Sequence, residues 1–459
     1  MATGIPKSRT SRGREAFPVA SAVRLAYEGK KPVSEILATP PAEVLPVSGP
    51  RAHRLGLEAV APDRDTLFFG DNLGMLASLL RDPQVRGQVR LVYIDPPFAT
   101  RSGFESRAQE SAYDDLLGGA AYVEFLRERL VLLRELLADD GSLYLHLDER
   151  MAFVARTLLD EIFGPESFRN VITRKKCNPK NSTQKRYGNV TDFILFFTKS
   201  ERYVWNRPSE AWNEVRALKE YTCVEPGTGR RYKRVPLHAP GVRHGETGRS
   251  WRGMAPPPGK HWQYPPTALD ELDARGEIHW SKNGNPRRKI YLDQSPGVPV
   301  QDLWLDFKDA HNQTIRITGY PTEKNEALLE RIVAASSNPG DLVLDCFAGS
   351  GTTLAVAHRL GRRWIGMDDS PQAIATILAR LTHGTRPMGD YVKRRRPSQG
   401  RNKVLPLFPQ MSREGDPKPP NLLVEAGTMP RLREVETAYR RRVTDLAEEP
   451  ADAGTKPGA

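Results

Sequence analysis

One stretch constrains the fold of this chain more than any other, and it runs from Asp341 to Asp368. After the turn residues Asn338-Pro339-Gly340, the apolar run Asp341–Phe347 reads as a buried strand. Ala348-Gly349-Ser350-Gly351-Thr352-Thr353 follows, then an amphipathic helix over Leu354–Leu360 and a second strand, Trp364–Asp368. A strand, a glycine turn, a helix and a strand make a βαβ unit, which needs a parallel sheet to bury it.

The same alternation occurs earlier. Thr66–Phe69 reads as a strand ending in Gly70-Asp71-Asn72, followed by a helix over Leu73–Leu80. Leu91–Ile94 is a strand. Tyr122–Ala138 carries Phe125, Leu126, Leu130, Leu133, Leu136 and Leu137 at helical spacing. A strand (Ser142–Leu147), a helix (Met151–Phe163) stopped by Gly164-Pro165, and a strand (Asp192–Thr198) complete this part. A later helix, Thr322–Ala335, has a capping threonine and an early acid. The expected fold class is α/β: a doubly wound, mostly parallel, Rossmann-like sheet.

From about Ser200 to Leu303 helical periodicity is lost and proline and glycine are frequent. Six of the seven tryptophans lie in or at the edge of this stretch, interleaved with Arg and Lys. Basic groups among aromatics suit phosphate contact and base stacking, whereas the tryptophans also read as the small core of an irregular insert. The expected organisation is a flexible arm (1–62), one half of a catalytic domain (63–199), an insert (200–303), the second half (304–385) and a basic, Pro-rich tail (386–459). A short helix is expected near Val19–Tyr27 and another at Leu432–Leu446.

The net charge of +12, from 68 Lys and Arg against 56 Asp and Glu, favours a polyanionic partner. Cys177, Cys223 and Cys346 have neither metal-ligand nor disulfide spacing, so a reducing cytoplasm is expected and no metal site. No apolar run is long enough to span a bilayer, and no signal-peptide core follows the basic N-terminus.

Two loops carry chemistry. In the first, Leu91–Ile94 runs into Asp95-Pro96-Pro97-Phe98, a stiffened loop holding an acid and a ring at a strand's carboxyl end. In the second, Gly349-Ser350-Gly351 lets backbone approach a ligand at a helix N-terminus. Asp368 stands at the end of the next strand, where an acid can take ribose hydroxyls. Asp345, before the turn, would repel a pyrophosphate but could hold an ammonium group. A nucleoside with a cationic, amino-acid-like end, S-adenosylmethionine, fits that pair. No P-loop lysine and no three-glycine fingerprint is present.

Asp95-Pro96-Pro97-Phe98 together with Phe347-Ala348-Gly349-Ser350-Gly351-Thr352-Thr353 resembles the amino-group DNA methyltransferases. The catalytic motif precedes the cofactor motif, as in the permuted β group, which includes the modification subunits of type III restriction systems. Phe69–Asn72, Leu158–Gly164, Pro321–Lys324 and Ser336–Asp341 also resemble family segments, so the similarity spans roughly 65 to 385. Phe98, Cys346 and Asn325 stand where Tyr, Pro and Pro are commoner.

The resemblance implies methyl transfer from S-adenosylmethionine to the N6 amine of an adenine flipped out of double-stranded DNA. Asp95, Pro96, Pro97 and Phe98 would be catalytic, with Asp95 and the Pro96 carbonyl accepting the amino hydrogens and Phe98 stacking on the base. Asp71, Thr322, Lys324, Asp345, Phe347, Ala348, Gly349, Ser350, Gly351, Thr352 and Asp368 would hold the cofactor. The insert would recognise the target, with Arg174, Lys175, Lys176, Arg231, Arg252, Arg287 and Arg288 contacting DNA. Cytosine-N4 methylation shares the fold, although serine is commoner than Asp95 there; a catalytically silent DNA-binding relative is the other alternative. Homodimers are common in the group, and restriction would need a separate subunit.

Overall fold

The structure is a computed structural model, which describes residues 24–55, 57, 64–97, 119–179, 185, 187–309, 316–321, 323–387 and 419–447. The chain divides into two compact units, one formed by Met1–Asn206 with Gln301–Ala459 and the other by Arg207–Val300.

The first unit is built on a ten-stranded sheet. Its strands are β1 (Val44–Pro46), β2 (Thr66–Phe69), β3 (Val89–Ile94), β4 (Leu137–Leu147), β5 (Phe168–Lys175), β6 (Thr191–Thr198), β7 (Leu303–Trp304), β8 (Leu342–Asp345), β9 (Arg363–Asp368) and β10 (Asn421–Glu425). Their order is β1-β10-β2-β9-β8-β3-β4-β6-β5-β7. From β10 to β4 every neighbouring pair is parallel; β6 is antiparallel to both β4 and β5, and β1 is antiparallel to β10. The mostly parallel α/β sheet expected from the sequence is present.

The helices that position the site are α1 (Asn72–Leu79), α2 (Ala120–Leu136), α3 (Ala152–Phe163), α4 (Glu326–Ser336), α5 (Thr352–Arg359), α6 (Pro371–His383) and α7 (Leu432–Ala447). Alternation along β8 sends Leu342 and Leu344 to the same core as Met75, Leu76, Leu126, Leu130 and Leu158 of α1, α2 and α3. α5 covers the opposite face, where a Cβ on Gly366 would lie 2.4 Å from Leu354. Helices therefore lie on both sides of the sheet, and its carboxyl-end crevice is left for ligand.

Four expectations are corrected. Within the 1–62 arm, residues 24–55 belong to the first unit: a helix over Val33–Leu37 buries Ile36, β1 joins the sheet and Leu55 is fully buried. Arg24–Tyr27 is not helical, and Val19–Val23 lies outside the described residues. The tail likewise contributes β10, while the helix expected at Leu432–Leu446 is present as α7, which buries Leu432 and Val435. These segments have few apolar residues, but each docks on an existing sheet edge or helix, where a few suffice. Finally, α4 begins at Glu326 and not at Thr322, because the Asn325 side chain accepts the Ala327 N–H at 2.9 Å and caps it.

The second unit, Arg207–Val300, begins close to the expected start of the insert. A four-stranded antiparallel sheet orders Ile278–Trp280, Pro286–Tyr291, Arg231–Pro236 and Cys223–Val224. Trp251 and Trp262 pack with Leu237, Leu269, Leu272 and Ile278 in its core. Those two tryptophans are structural. No helix among the described residues is long and apolar enough to cross a membrane.

Candidate active site

β3 and β8 are hydrogen-bonded neighbours, with Leu344 opposite Val92. This pairing brings the Asp95 loop beside the Asp345–Gly351 loop across more than two hundred residues of sequence. Both loops line one cavity of about 370 Å³, with Gly70–Asn72, Tyr93, Phe125, Arg129, Tyr320, Lys324 and Asp368 also on its wall. Phe98, Thr322 and residues 100–118 lie outside the described residues.

Asp95 is mostly buried, and Lys324 Nζ stands 2.5 Å from its Oδ2. Its Oδ1 is buried with no hydrogen-bond partner among the described residues, an acceptor that folding has desolvated without satisfying. Pro97 also lines the cavity.

The Gly349-Ser350-Gly351 turn differs from a phosphate cradle. Phe347 N–H donates to Asp345 Oδ1 at 3.0 Å and Gly349 N–H to Asp368 Oδ2 at 2.8 Å. The N–H groups of Ala348 and Gly351 are taken by the carbonyls of Met367 and Ala348. These four amides are satisfied by protein acceptors and are not offered to a ligand anion. Gly351 is required: its φ is +73°, and an added Cβ would lie 2.8 Å from Ile377.

What the cavity offers is negative charge. Asp71, Asp95, Asp345, Asp368 and Asp369 face Arg129 and Lys324, five acids against two bases. Burial pushes Asp345 up to about 7, and the charges of Asp95 and Asp368 add to it; Thr353 and the Phe347 amide act the other way. Burial likewise raises Asp368 to about 7, with Asp369 adding repulsion. Carboxyls held near neutrality by desolvation and mutual repulsion would be relieved by a cation. The orphaned Asp95 oxygen and this acidic wall fit a cationic nucleoside better than a phosphate ester.

Several residues that sequence reasoning passed over hold this geometry. Arg129 of α2, almost fully buried, donates from Nε to Asn72 Oδ1 (2.6 Å) and from Nη2 to Asp71 (3.0 Å), with its guanidinium 3.6 Å from the Phe125 ring centroid. Asn72 Nδ2 donates to the Cys346 carbonyl at 2.6 Å. Arg380 of α6 donates to Glu323, to the Ser350 carbonyl and to Thr352 Oγ1, all within 3.2 Å. Arg129 follows Phe125 by one helical turn; polar positions on an otherwise apolar helix face were the available signal. Asp71 itself caps α1 and stays exposed at the rim.

Of the expected DNA contacts, Arg174 is corrected. It is fully buried, 2.8 Å from Asp192 and 2.5 Å from Asp309, with Nε donating to the Phe307 carbonyl. Its donors are engaged and no phosphate can reach them. Lys175 and Lys176 remain partly exposed. In the second unit, Arg287 and Arg231 are exposed on the sheet, while Arg252 is engaged by Asp270 and Asp273 and Arg288 by Tyr264.

An acid on the loop after β3 and a glycine turn flanked by two buried acids are joined through the parallel sheet into one cavity. The N6_N4_Mtase family model, described as DNA methylase, matches residues 89–379, and the chain belongs to that family. It is 48% identical over 390 residues to the type II methyltransferase M.EcaI of Enterobacter cloacae, covering 85% of this chain and 84% of that one. It is 26% identical over 394 residues to the probable type III restriction-modification enzyme HindVI Mod subunit of Haemophilus influenzae, covering 70% of this chain but only 50% of that subunit. It is 26% identical over 321 residues to the DNA adenine methyltransferase YhdJ of Escherichia coli, covering 69% and 82%. The chain is a DNA methylase of the N6/N4 group.

Proposed function

We propose that the chain transfers a methyl group from S-adenosylmethionine to the N6 amine of an adenine flipped out of double-stranded DNA. The observation that carries this is Asp95: a carboxylate at the carboxyl end of β3, with one oxygen buried and unpartnered, beside the acidic cavity. The name of the Escherichia coli adenine methyltransferase relative supports adenine over cytosine.

S-adenosylmethionine supplies an electrophilic methyl group on a sulfonium sulfur. Asp345 would hold its ammonium group and Asp368 its ribose hydroxyls, with Phe347–Thr352, Asp71 and Lys324 shaping the rest of the pocket. The adenine amine is a weak nucleophile because its lone pair is delocalised into the ring. Asp95 Oδ1 and the Pro96 carbonyl accept its two hydrogens, which turns the nitrogen towards tetrahedral geometry. As positive charge develops on that nitrogen, the preplaced carboxylate stabilises it. Lys324 holds the other oxygen, Oδ2, so Oδ1 is left to meet the amine. The proton leaves after transfer, so Asp95 acts as an acceptor and not as an obligatory strong base.

The exposed basic residues of the second unit, Arg231 and Arg287 among them, support a role in DNA contact, and three cysteines with no disulfide among the described residues suit a cytoplasmic protein. Co-purification with a restriction subunit and a dimeric mass in solution are the results expected from the type III resemblance. Labelled cofactor, duplex DNA and nucleoside analysis of the product test the main proposal: label on N6-methyladenine is expected, and label on cytosine or none on DNA would overturn it.

The raised acids make a pH prediction. With folded-state values near 7 and unfolded values near 3.8, the folded cofactor-free protein binds more protons across that window. Its stability should fall as pH rises from about 4 to 7, because the unfolded state releases those protons first. A cationic cofactor prefers the ionised acids, so its affinity should rise from about pH 6 to 8, by up to about tenfold per unit for each carboxyl that must ionise. Calorimetry in two buffers of different ionisation enthalpy should register proton release below pH 7. Affinity that falls with pH would count against the assignment.

A further inference from the structure

The family-matched span ends at residue 379, yet a later segment braces the same cavity. β10 runs parallel to β2, with Val424 opposite Phe69, so that Glu425 arrives beside Gly70 at the carboxyl end of the sheet. Glu425 Oε2 accepts the Asp71 N–H at 3.1 Å and the Thr428 hydroxyl at 3.3 Å. Gly70 makes room for it: a Cβ there would lie 2.6 Å from both Glu425 Cβ and Oε2.

The turn gripped in this way carries Asp71 and Asn72 into the cavity wall. From there Arg129 and the Cys346 carbonyl tie it to the cofactor strand, so the Glu425 carboxylate begins a hydrogen-bonded chain that ends at the residue after Asp345. α7 reaches the other wall. Arg442 Nη1 donates to the Thr318 carbonyl at 3.1 Å, and Thr318 N–H and Oγ1 both donate to Glu323 at 2.8 Å. Glu323 meets Arg380 at 2.9 Å, and the next residue, Lys324, meets Asp95. Simple packing of a terminal helix would account for buried Leu432 and Val435, but not for an acidic side chain on the main-chain N–H of a cavity-rim residue.

We propose that Asn421–Ala447 is a brace for the methyl-donor site, and that Glu425 is the positioning residue through which it sets cofactor affinity. The inference rests on the cavity being the S-adenosylmethionine site. Glu425 touches no reacting atom; it acts by fixing where Asp71 and Asn72 stand.

Full-chain Glu425→Ala and Glu425→Gln test it, by calorimetric binding of S-adenosylmethionine without DNA, duplex-DNA affinity and Tm. Glu425→Ala is expected to weaken cofactor binding about tenfold, the loss of one charge-assisted hydrogen bond to a rim amide. Glu425→Gln keeps an oxygen acceptor and should bind within about twofold of the parent, with DNA affinity unchanged in both. If Glu425→Ala does not fold, Glu425→Asp, whose carboxylate falls short of the Asp71 N–H, should show the same selective loss. Parental cofactor affinity in Glu425→Ala would overturn the brace. So would parallel losses of cofactor affinity, DNA affinity and Tm in both variants. Failure of the unaltered chain to bind S-adenosylmethionine would instead overturn the assignment of the cavity, and the brace with it.

Discussion

Asp95→Ala protein should bind S-adenosylmethionine as tightly as the parent and transfer its methyl group about 10²–10³-fold more slowly. The Asp95 side chain lines the cavity. Its Oδ1 has no protein partner and its Oδ2 has Lys324. Removing the carboxylate takes away the group that would accept the amine's hydrogen and offset its growing positive charge. Cofactor binding has a reason to survive, because the Asp95 charge is one of the repulsions that raise Asp345. Its removal lets Asp345 ionise more readily in front of a cation. Single-turnover methylation with saturating cofactor, set beside equilibrium cofactor binding, separates the two effects. Equal losses in rate and affinity would contradict the division of labour between the β3 and β8 loops.

Arg174→Ala should destabilise the protein by about 3–5 kcal/mol, the usual cost of breaking a buried ion pair by deleting one partner. Arg174 is fully buried, and it joins β5 to Asp192 on β6 and to Asp309. Burial alone would raise Asp192, but His146 and Arg174 beside it hold its carboxyl well below the usual range. Without the guanidinium that carboxylate stays desolvated with half its support gone. Urea unfolding should show the midpoint fall. The salt dependence of DNA binding, measured on whatever fraction stays folded, should keep its slope, because Arg174 reaches no phosphate. Arg287→Ala makes the contrast: little change in stability, and a log–log salt slope shallower by about 1 if it neutralises one phosphate. A shallower slope for Arg174→Ala with unchanged stability would place Arg174 on a phosphate instead of in a buried ion pair.

Arg174 also shows where sequence stops being sufficient. Arg174-Lys175-Lys176 reads as a basic run, and runs of charge usually face solvent. It lies on a strand, so alternate residues point to opposite faces, and Arg174 takes the inward side opposite Asp192. Local composition cannot say which of three basic residues that is; only the register against β6 does. The same holds for Asn421–Glu425. Three apolar residues in Pro-rich surroundings carry too weak a period to announce a strand, yet they complete one when β2 offers an open edge. Arg129 was hidden for a related reason. Its helix was legible, but its partners Asp71 and Asn72 are about sixty residues away.

What the sequence determined by itself was local. Apolar periods located β2, β3, β4, β6, β8 and β9 and the helices between them, Asp95-Pro96-Pro97-Phe98 marked one loop of the cavity, and Asp345 to Asp368 marked the other. A motif works this way because strand, turn and acid are close in sequence and act through short-range geometry. Tertiary structure decided how these pieces share an environment. It set β3 against β8, drew five acids into one cavity and raised two of them, took Arg174 out of reach of DNA, and brought Glu425 onto the rim from the far end of the chain. Desolvation, repulsion and register depend on neighbours distant in sequence, and they exist only once the sheet has formed.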